Sequence, residues 1–257
     1  MDNERLINFI HGKLLELLKF TDGVCKAESI KYSLIGGTML GAVRHCGFIP
    51  WDDDADIGMM RDDLNKFKAV VGEYTEGTDF KLCRNGRVDG VCYAEPQEID
   101  GVKIGHICLD VFAIDNVPDD DKLFDKQVFG LKKLQGMMKK GKVDWKKYSF
   151  KGKILVLGTK ILGAFKSEEK LVKQYAELSA KYNGTDSARR FISNDLFSLF
   201  DIKYDRELMA ETEDMQFETE RFPVFKGYDK ILTLDYGDYM TPPPPEERRS
   251  SHTETSE

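Results

Sequence analysis

Residues 32–60 read YSLIGGTMLGAVRHCGFIPWDDDADIGMM. A β-prone run, Tyr32 to Ile35, stops at Gly36-Gly37 and leads into a short helical pattern. Four aspartates then fall within five positions: Asp52, Asp53, Asp54 and Asp56. Carboxylates packed that closely repel one another unless a cation neutralises them. From Asp54 to Met60 the residues alternate, Ala55, Ile57 and Met59 on one face and Asp54, Asp56 and Gly58 on the other. A strand there presents Asp54 and Asp56 together while Asp53 points away, with Asp52 as an accessory. A glycine turn lets backbone approach a phosphate closely, and an Asp-x-Asp pair offers hard oxygen ligands to a divalent ion. The stretch describes a site for moving a phosphoryl group.

The rest of the chain is compatible with a globular enzyme. Its 257 residues suffice for a substantial core in one domain or two, and 41% hydrophobic with 32% charged residues is an ordinary globular balance. A net charge of −7 argues against a general nucleic-acid binder, which would be basic. Cys25, Cys46, Cys83, Cys92 and Cys108 are scattered and odd in number, with no Cys-x-x-Cys, so reduced cytosolic thiols are the simplest account. The N-terminus has no apolar signal core, and Ile154 to Phe165, the longest apolar run, is too short for the roughly 20 residues that span a bilayer. A cytoplasmic protein is expected, peripheral at the inner face of the membrane if it touches lipid at all.

Leu6, Ile7, Ile10, Leu14, Leu17 and Leu18 predict an opening amphipathic helix, and Leu64, Phe67, Val70 and Val71 a second over Arg61–Tyr74. Strands are expected over 80–84, 91–99 and 106–114. In the last, the pattern is apolar on nearly both sides and carries one acid, Asp110, as a central strand would. Asn116-Val-Pro118 ends it, and Asp119 to Asp121 can cap a following helix. Residues 122–182 read as mainly helical, with Lys132, Lys133, Lys139, Lys140, Lys142, Lys146, Lys147, Lys151 and Lys153 offset only by Asp144. Met215 to Phe225 is strand-like and Tyr228 to Tyr239 helix-like. The expected division is a catalytic core over 1–118, a helical lysine-rich segment over 119–190, a completing segment over 191–241 and a polar, disordered tail over 242–257.

Phosphoryl transfer needs positioning and charge neutralisation more than covalent help from protein. Asp54 and Asp56 would hold metal, Asp110 from a neighbouring strand would complete the cage, and Gly36, Gly37 and Thr38 would receive the donor's phosphates. Arg44, about two helical turns further on, could reach a phosphate bidentately. Each piece has a plainer explanation: a Gly-Gly turn is usually just a turn, Asp110 alone would be structural, and the acidic run could be a solvated loop or a calcium site. An EF-hand, however, would need a glycine at loop position six and a distant glutamate, and neither is correctly spaced. The combination, in this order, is what carries the reading.

The block from Gly36 to Arg44 and His45, then Gly47-Phe-Ile-Pro-Trp-Asp-Asp-Asp-x-Asp-Ile-Gly-Met, resembles the signature of the LicD family, phosphocholine-type transferases related to fukutin and fukutin-related protein. Leu109-Asp-Val-Phe-Ala-Ile-Asp-Asn-Val-Pro is similar to the family's Asp-hydrophobic-Phe strand, and Tyr236-Gly-Asp-Tyr-Met-Thr-Pro-Pro, with Arg248 and His252 beyond, is family-like too. The resemblance covers both ends of the chain and the middle only in character. It implies an α/β fold of the DNA polymerase β-like nucleotidyltransferase kind, a mixed sheet flanked by helices with a helical insertion. It further implies Mg²⁺ (or Mn²⁺) and a CDP-linked donor, typically CDP-choline. Carried over, Asp54 and Asp56 are metal ligands, Asp52 a neighbour that coordinates or orients, and Asp110 a third ligand or the general base. Gly41, Tyr236, Arg248 and His252 join the substrate-binding set, although His252 stands alone where such proteins often end in paired histidines.

His45 and His106 are expected in local hydrogen bonds rather than catalysis. Trp51 is expected to pack beneath the acidic loop, although Trp51, Trp145, Tyr236 and Tyr239 could also cage a quaternary ammonium. The lysine-rich interval reads as a solvated helix face, or as a surface for an anionic glycan or membrane, and Ile154–Phe165 as a buried helix rather than an interfacial one. The expected activity is metal-dependent transfer of phosphocholine, or a similar phospho-alcohol, from a CDP-linked donor to a hydroxyl of a cell-surface glycan of lipopolysaccharide, capsule or teichoic acid type. The alternatives are transfer of NMP with release of pyrophosphate, and a non-catalytic nucleotide- or glycan-binding module.

Overall fold

The computed structural model describes residues 3–85, 87–138, 150–195, 199 and 201–248. The apolar periodicity at the N-terminus becomes α1 (Asn3–Glu28), which buries Ile7, Ile10, Leu14, Leu17 and Leu18 as expected and adds Thr21, Val24 and Cys25. The β-prone run is a short strand, β1 (Ser33–Leu34), followed by α2 (Gly36–His45). The alternating stretch is β2 (Ala55–Met60), with Ala55, Ile57 and Met59 fully buried. Then come α3 (Arg61–Thr75), β3 (Phe80–Asn85), β4 (Val88–Tyr93), β5 (Gln97–Ile99), β6 (Val102–Ile104) and β7 (Cys108–Asn116). One expectation fails here: 91–99 is not one strand. The chain leaves the main sheet after Tyr93, next to Pro96, which has no N–H to give a ladder, and β5 pairs with β6 in a separate hairpin.

The chain separates into two compact units, residues 1–114 with 204–257, and residues 115–203. The second holds α4 (Asp121–Met138), α5 (Phe150–Ala164), α6 (Glu168–Ser179) and β8 (Arg189–Ile192). Asp120 accepts from the Leu123 amide at 3.0 Å and so caps the start of α4. The core of this unit is Val117, Phe124, Val128, Leu131, Tyr175 and Phe191. α5 corrects the expectation of a buried apolar helix. It turns Thr159 and Gly163 toward α4, where a side chain on Gly163 would overlap the Met137 carbonyl. Close approach through small residues leaves Leu157, Ile161 and Leu162 exposed, with Phe165 beyond the helix at 85% exposure. Most of the lysine-rich interval and Trp145 lie outside the described residues.

The first unit is completed by β9 (Tyr204–Asp205), the hairpin β10 (Thr212–Phe217) and β11 (Glu220–Phe225), and α7 (Tyr228–Tyr236). Its sheet runs β10-β11-β1-β2-β7-β4-β3. β1 with β11 and β2 with β7 are parallel, and the other neighbours are antiparallel, so the sheet is mixed. α2 and α3 pack on β2, α2 also on β10, α1 on β4, and α7 on α2. β2 and β7 are thus central, fully covered on the face of Ile57, Met59, Leu109 and Val111. The opposite face of the same two strands carries the acids.

Candidate active site

The parallel register pairs Ala55 with Leu109 and Asp56 with Asp110. Residues directly opposite share a sheet face, so these two carboxylates, 54 residues apart in sequence, stand side by side. Asp54, one residue ahead of β2, lines a cavity of about 330 Å³ together with Asp53, Asp110, His106 and Arg84. Asp52 is more constrained. Burial first, then the charges of Asp54 and Asp53, push its carboxyl up to about 7. Buried beside two further carboxylates, Asp52 disfavours its own charge unless a proton or a cation offsets it. The carboxylates of Asp53, Asp54 and Asp110 around one cavity are hard oxygen donors of the kind that Mg²⁺ or Mn²⁺ takes, so the residue types present fit such an ion.

α2 begins directly over these acids. Gly36 has φ +54°, and a Cβ there would lie 3.5 Å from Asp56 Oδ2 and 3.8 Å from the Tyr236 hydroxyl. At Gly37 a Cβ would meet Asp52 Oδ2 at 2.8 Å, so a side chain here would displace that carboxylate. The residue at the N-cap is Ile35, and no side chain caps the helix. Its N-terminal dipole therefore faces the carboxylates and whatever anion joins them. Thr38 has a structural task beside the one expected. It is buried, and its Oγ1 accepts the Asp56 amide at 2.8 Å, tying helix to strand at the acid itself. Gly41 also has a packing reason, since a Cβ there would lie 2.4 Å from the Gly47 carbonyl oxygen.

Basic groups gather at the other end of α2. Arg44 donates to the Tyr239 carbonyl at 2.7 Å and to His45 Nε2 at 3.0 Å. Arg248 lies 5.1 Å from the centre of the Trp51 ring, a cation–π distance, and donates to the Pro243 carbonyl at 2.8 Å. Burial, and then Arg248, hold Arg44 below the usual guanidinium range, and burial with both arginines lowers His45. Two guanidinium groups that disfavour each other's charge suit an anion placed between them. Trp51 contacts Arg248 and, edge-on, the His45 ring at 6.1 Å, so it serves the basic cluster as well as the loop. His252 lies outside the described residues.

Three residues escaped the sequence reading. His11, on α1, bonds the Asp52 carbonyl at 2.7 Å and stacks on Phe48 with centroids 4.4 Å apart, holding the acidic loop from behind. The available signal was a polar residue beside the buried stripe of Ile7, Ile10 and Leu14. Glu218 accepts the Phe48 amide at 3.0 Å, and its own amide donates to the Cys46 carbonyl at 2.7 Å, fixing the loop that follows α2. Gly90 pairs with Asp110, and a Cβ there would lie 3.3 Å from Asp110 Oδ1 and 2.8 Å from the Leu109 carbonyl oxygen. The missing side chain makes room for the carboxylate; a glycine inside a strand pattern was the only hint.

The family model described as LicD/FKTN/FKRP, nucleotidyltransferase domain, matches residues 29–137, which span both acidic strands and α2. The chain is 29% identical over 252 residues to the lipopolysaccharide cholinephosphotransferase LicD of Haemophilus influenzae, covering 93% of this chain and 92% of that protein. It is 39% identical over 59 residues to the human ribitol 5-phosphate transferase FKRP, covering 23% of this chain and 12% of that protein. An uncharacterized protein of Rickettsia typhi matches at 30% over 131 residues, 47% of this chain and 38% of that one. Residues 29–137 thus match the LicD/FKTN/FKRP family model, and the likeness to a LicD protein runs over nearly the whole chain.

Proposed function

We propose that this protein is a metal-dependent transferase, of nucleotidyltransferase-type fold, that moves a phospho-alcohol from a CDP-linked donor to a hydroxyl of a cell-surface glycan. The observation that carries the reading is the pairing of Asp56 with Asp110 beneath the glycine start of α2. The nearly full-length likeness to a protein named as a lipopolysaccharide cholinephosphotransferase supports phosphocholine and a lipopolysaccharide-type acceptor. Asp54, Asp56 and Asp110, with Asp52 beside them, would hold Mg²⁺ or Mn²⁺. When bound, such an ion neutralises the donor's diphosphate and polarises the phosphoryl group under attack.

The chain's own residues then do the following. The first amides of α2, at Gly36 and Gly37, receive diphosphate oxygens, and Arg44 with Arg248 offer positive charge at the far end of the same helix. Tyr236, whose hydroxyl lies beside Gly36 and Asp56, orients the donor. The acceptor oxygen attacks the phosphorus that bears the alcohol, and the bond from that phosphorus to the CMP phosphate breaks. CMP leaves, and the hydroxyl proton passes to a site carboxylate, a role assigned to Asp110.

Melting the protein with CDP-choline, CDP-ribitol or CDP-glycerol tests the donor. With Mg²⁺ present, the correct compound at 100 times its Kd should stabilise by about 2.7 kcal/mol, and without the ion by much less. No shift with any CDP compound would remove the donor assignment. The family description also favours a second reading, NMP transfer with release of pyrophosphate. Product mass decides, since the acceptor gains either a phospho-alcohol or a nucleotide.

Among the described residues no helix is long and apolar enough to cross a membrane. We further propose a peripheral contact through Leu157, Ile161, Leu162 and Phe165, which are exposed on one segment with Lys153 and Lys166 at its two ends. Sedimentation with vesicles should show retention on anionic lipid that falls with salt. An Ile161→Glu, Phe165→Glu double variant should lose it with its melting temperature unchanged. Equal retention of the variant would refute the contact.

A further inference from the structure

Beside the acids, on the same sheet face, lies a second cluster that the transfer reading does not use. Cys83 is on β3, Cys92 on β4 and Cys108 on β7. Cys92 pairs with Cys108 across β4 and β7, and Cys83 pairs with Gly90, two residues from Cys92 on the same face. Because Gly90 has no side chain, Cys83 leans across it: its sulfur lies 3.4 Å from where a Gly90 Cβ would be. The three sulfurs all lie within 4.8 Å of one another, and Cys83 Sγ is 3.9 Å from Cys108 Sγ. Cys92 is fully buried, whereas Cys83 and Cys108 are half-buried and line the cavity that His106 and Asp110 also line.

We propose that Cys83, Cys92 and Cys108 form a site for a thiophilic divalent ion, of which Zn²⁺ is the type, with its fourth position open to the cavity that His106 also lines. Three sulfurs share one small volume, yet a sulfur can enter only one disulfide. A disulfide would satisfy two of the three and leave the third pressed against it; one ion satisfies all three. Zn–S bonds of about 2.3 Å in a tetrahedron set a sulfur–sulfur edge of about 3.8 Å, and the Cys83–Cys108 separation of 3.9 Å matches it. The other two pairs would open to the same edge. The Cα atoms of Cys92 and Cys108 are 4.1 Å apart, short of the roughly 4.4–6.8 Å usual for disulfides. Cys83 and Cys92, at 6.1 Å, fall inside that range and form the rival arrangement.

Sulfur donors select a different ion from the carboxylate oxygens nearby, so the two sites need not compete. The thiols lose their protons on binding, and the ion crosslinks three adjacent strands. One of them carries Asp110, two residues from Cys108, so the site would hold that carboxylate in register.

The test is metal content, which involves neither donor nor turnover and so stands or falls apart from the transfer reading. Full-length protein purified without chelator, with excess Mg²⁺ to satisfy the carboxylates, should carry about one zinc per chain. A mercurial that blocks thiols should release it. Replacing buried Cys92 puts folding at risk, so half-buried Cys83→Ser is the primary variant. It should retain the wild-type melting profile in the metal-free state and lose zinc affinity by about 10-fold or more. Wild type loaded with Co²⁺ should show thiolate-to-cobalt charge-transfer absorption that the variant lacks. Two outcomes overturn the proposal: a chain with no zinc and a Cys83–Cys92 disulfide found by peptide mapping, or five free thiols that bind neither added Zn²⁺ nor Co²⁺.

Discussion

Asp56→Ala should abolish transfer while leaving the protein folded and, in the absence of metal, at least as stable. The expected fall in turnover is on the order of 10³ or more, the scale on which a single preorganised electrostatic group acts at a transferring centre. The fold should stay intact for a local reason. Two backbone bonds tie residue 56 into the structure: its amide donates to Thr38 Oγ1 at 2.8 Å, and its carbonyl accepts the Ile35 amide at 3.2 Å. Neither bond needs the carboxylate. Its removal also relieves repulsion with Asp110, the partner in the register. A structural acid would behave the other way, costing stability when removed and activity only in proportion. Turnover with Mg²⁺ and melting of the metal-free protein should be measured on the same preparation. Activity within tenfold of wild type would sink the assignment of Asp56.

The second large effect concerns Asp52 and pH. Its carboxyl rises to about 7 in the folded protein, through burial and then through Asp54 and Asp53, whereas an unfolded aspartate titrates near about 3.9. Between those values the folded state holds a proton that the unfolded state has lost. Stability from this group is therefore fully present below about pH 4 and is lost as pH rises through about 7. The loss amounts to roughly 2–4 kcal/mol in metal-free protein. Asp52→Asn imitates the protonated form, so the variant should lack this decline and melt higher than wild type at pH 8. Adding Mg²⁺ should restore wild type at pH 8 and help the variant less. Chelator-treated samples melted at pH 5 and pH 8 give the comparison. Identical pH dependence in the two proteins would show that Asp52 does not carry the shift.

Much of this site was legible because it is local. Period-two alternation holds within β2, where Ala55, Ile57 and Met59 are buried and Asp56 faces the other way beside Asp110, whereas Asp53, expected to point away, lines the cavity with Asp54. Asp110 could be picked out as the lone acid of a strand otherwise apolar on both faces. The reading faltered where packing overrides pattern. Thr38 was read only as a phosphate ligand, yet its oxygen also accepts the Asp56 amide. Ile154–Phe165 looked buried because it is apolar, yet small residues make the closer contact with α4 and leave the large ones outside.

The glycine turn, the closely spaced acids, the third acid and the family likeness could be read from the chain alone, since each is written within one element or one contiguous motif. Tertiary structure decided what depends on strand order and register. It set Asp110 opposite Asp56, emptied position 90 beside that carboxylate, and brought Arg248 to Trp51 and His11 to the acidic loop. Most of all it gathered Cys83, Cys92 and Cys108, which look scattered because no short spacing links them. Hydrogen-bond registry across a sheet is a relation between distant segments, and no periodicity within either segment encodes it.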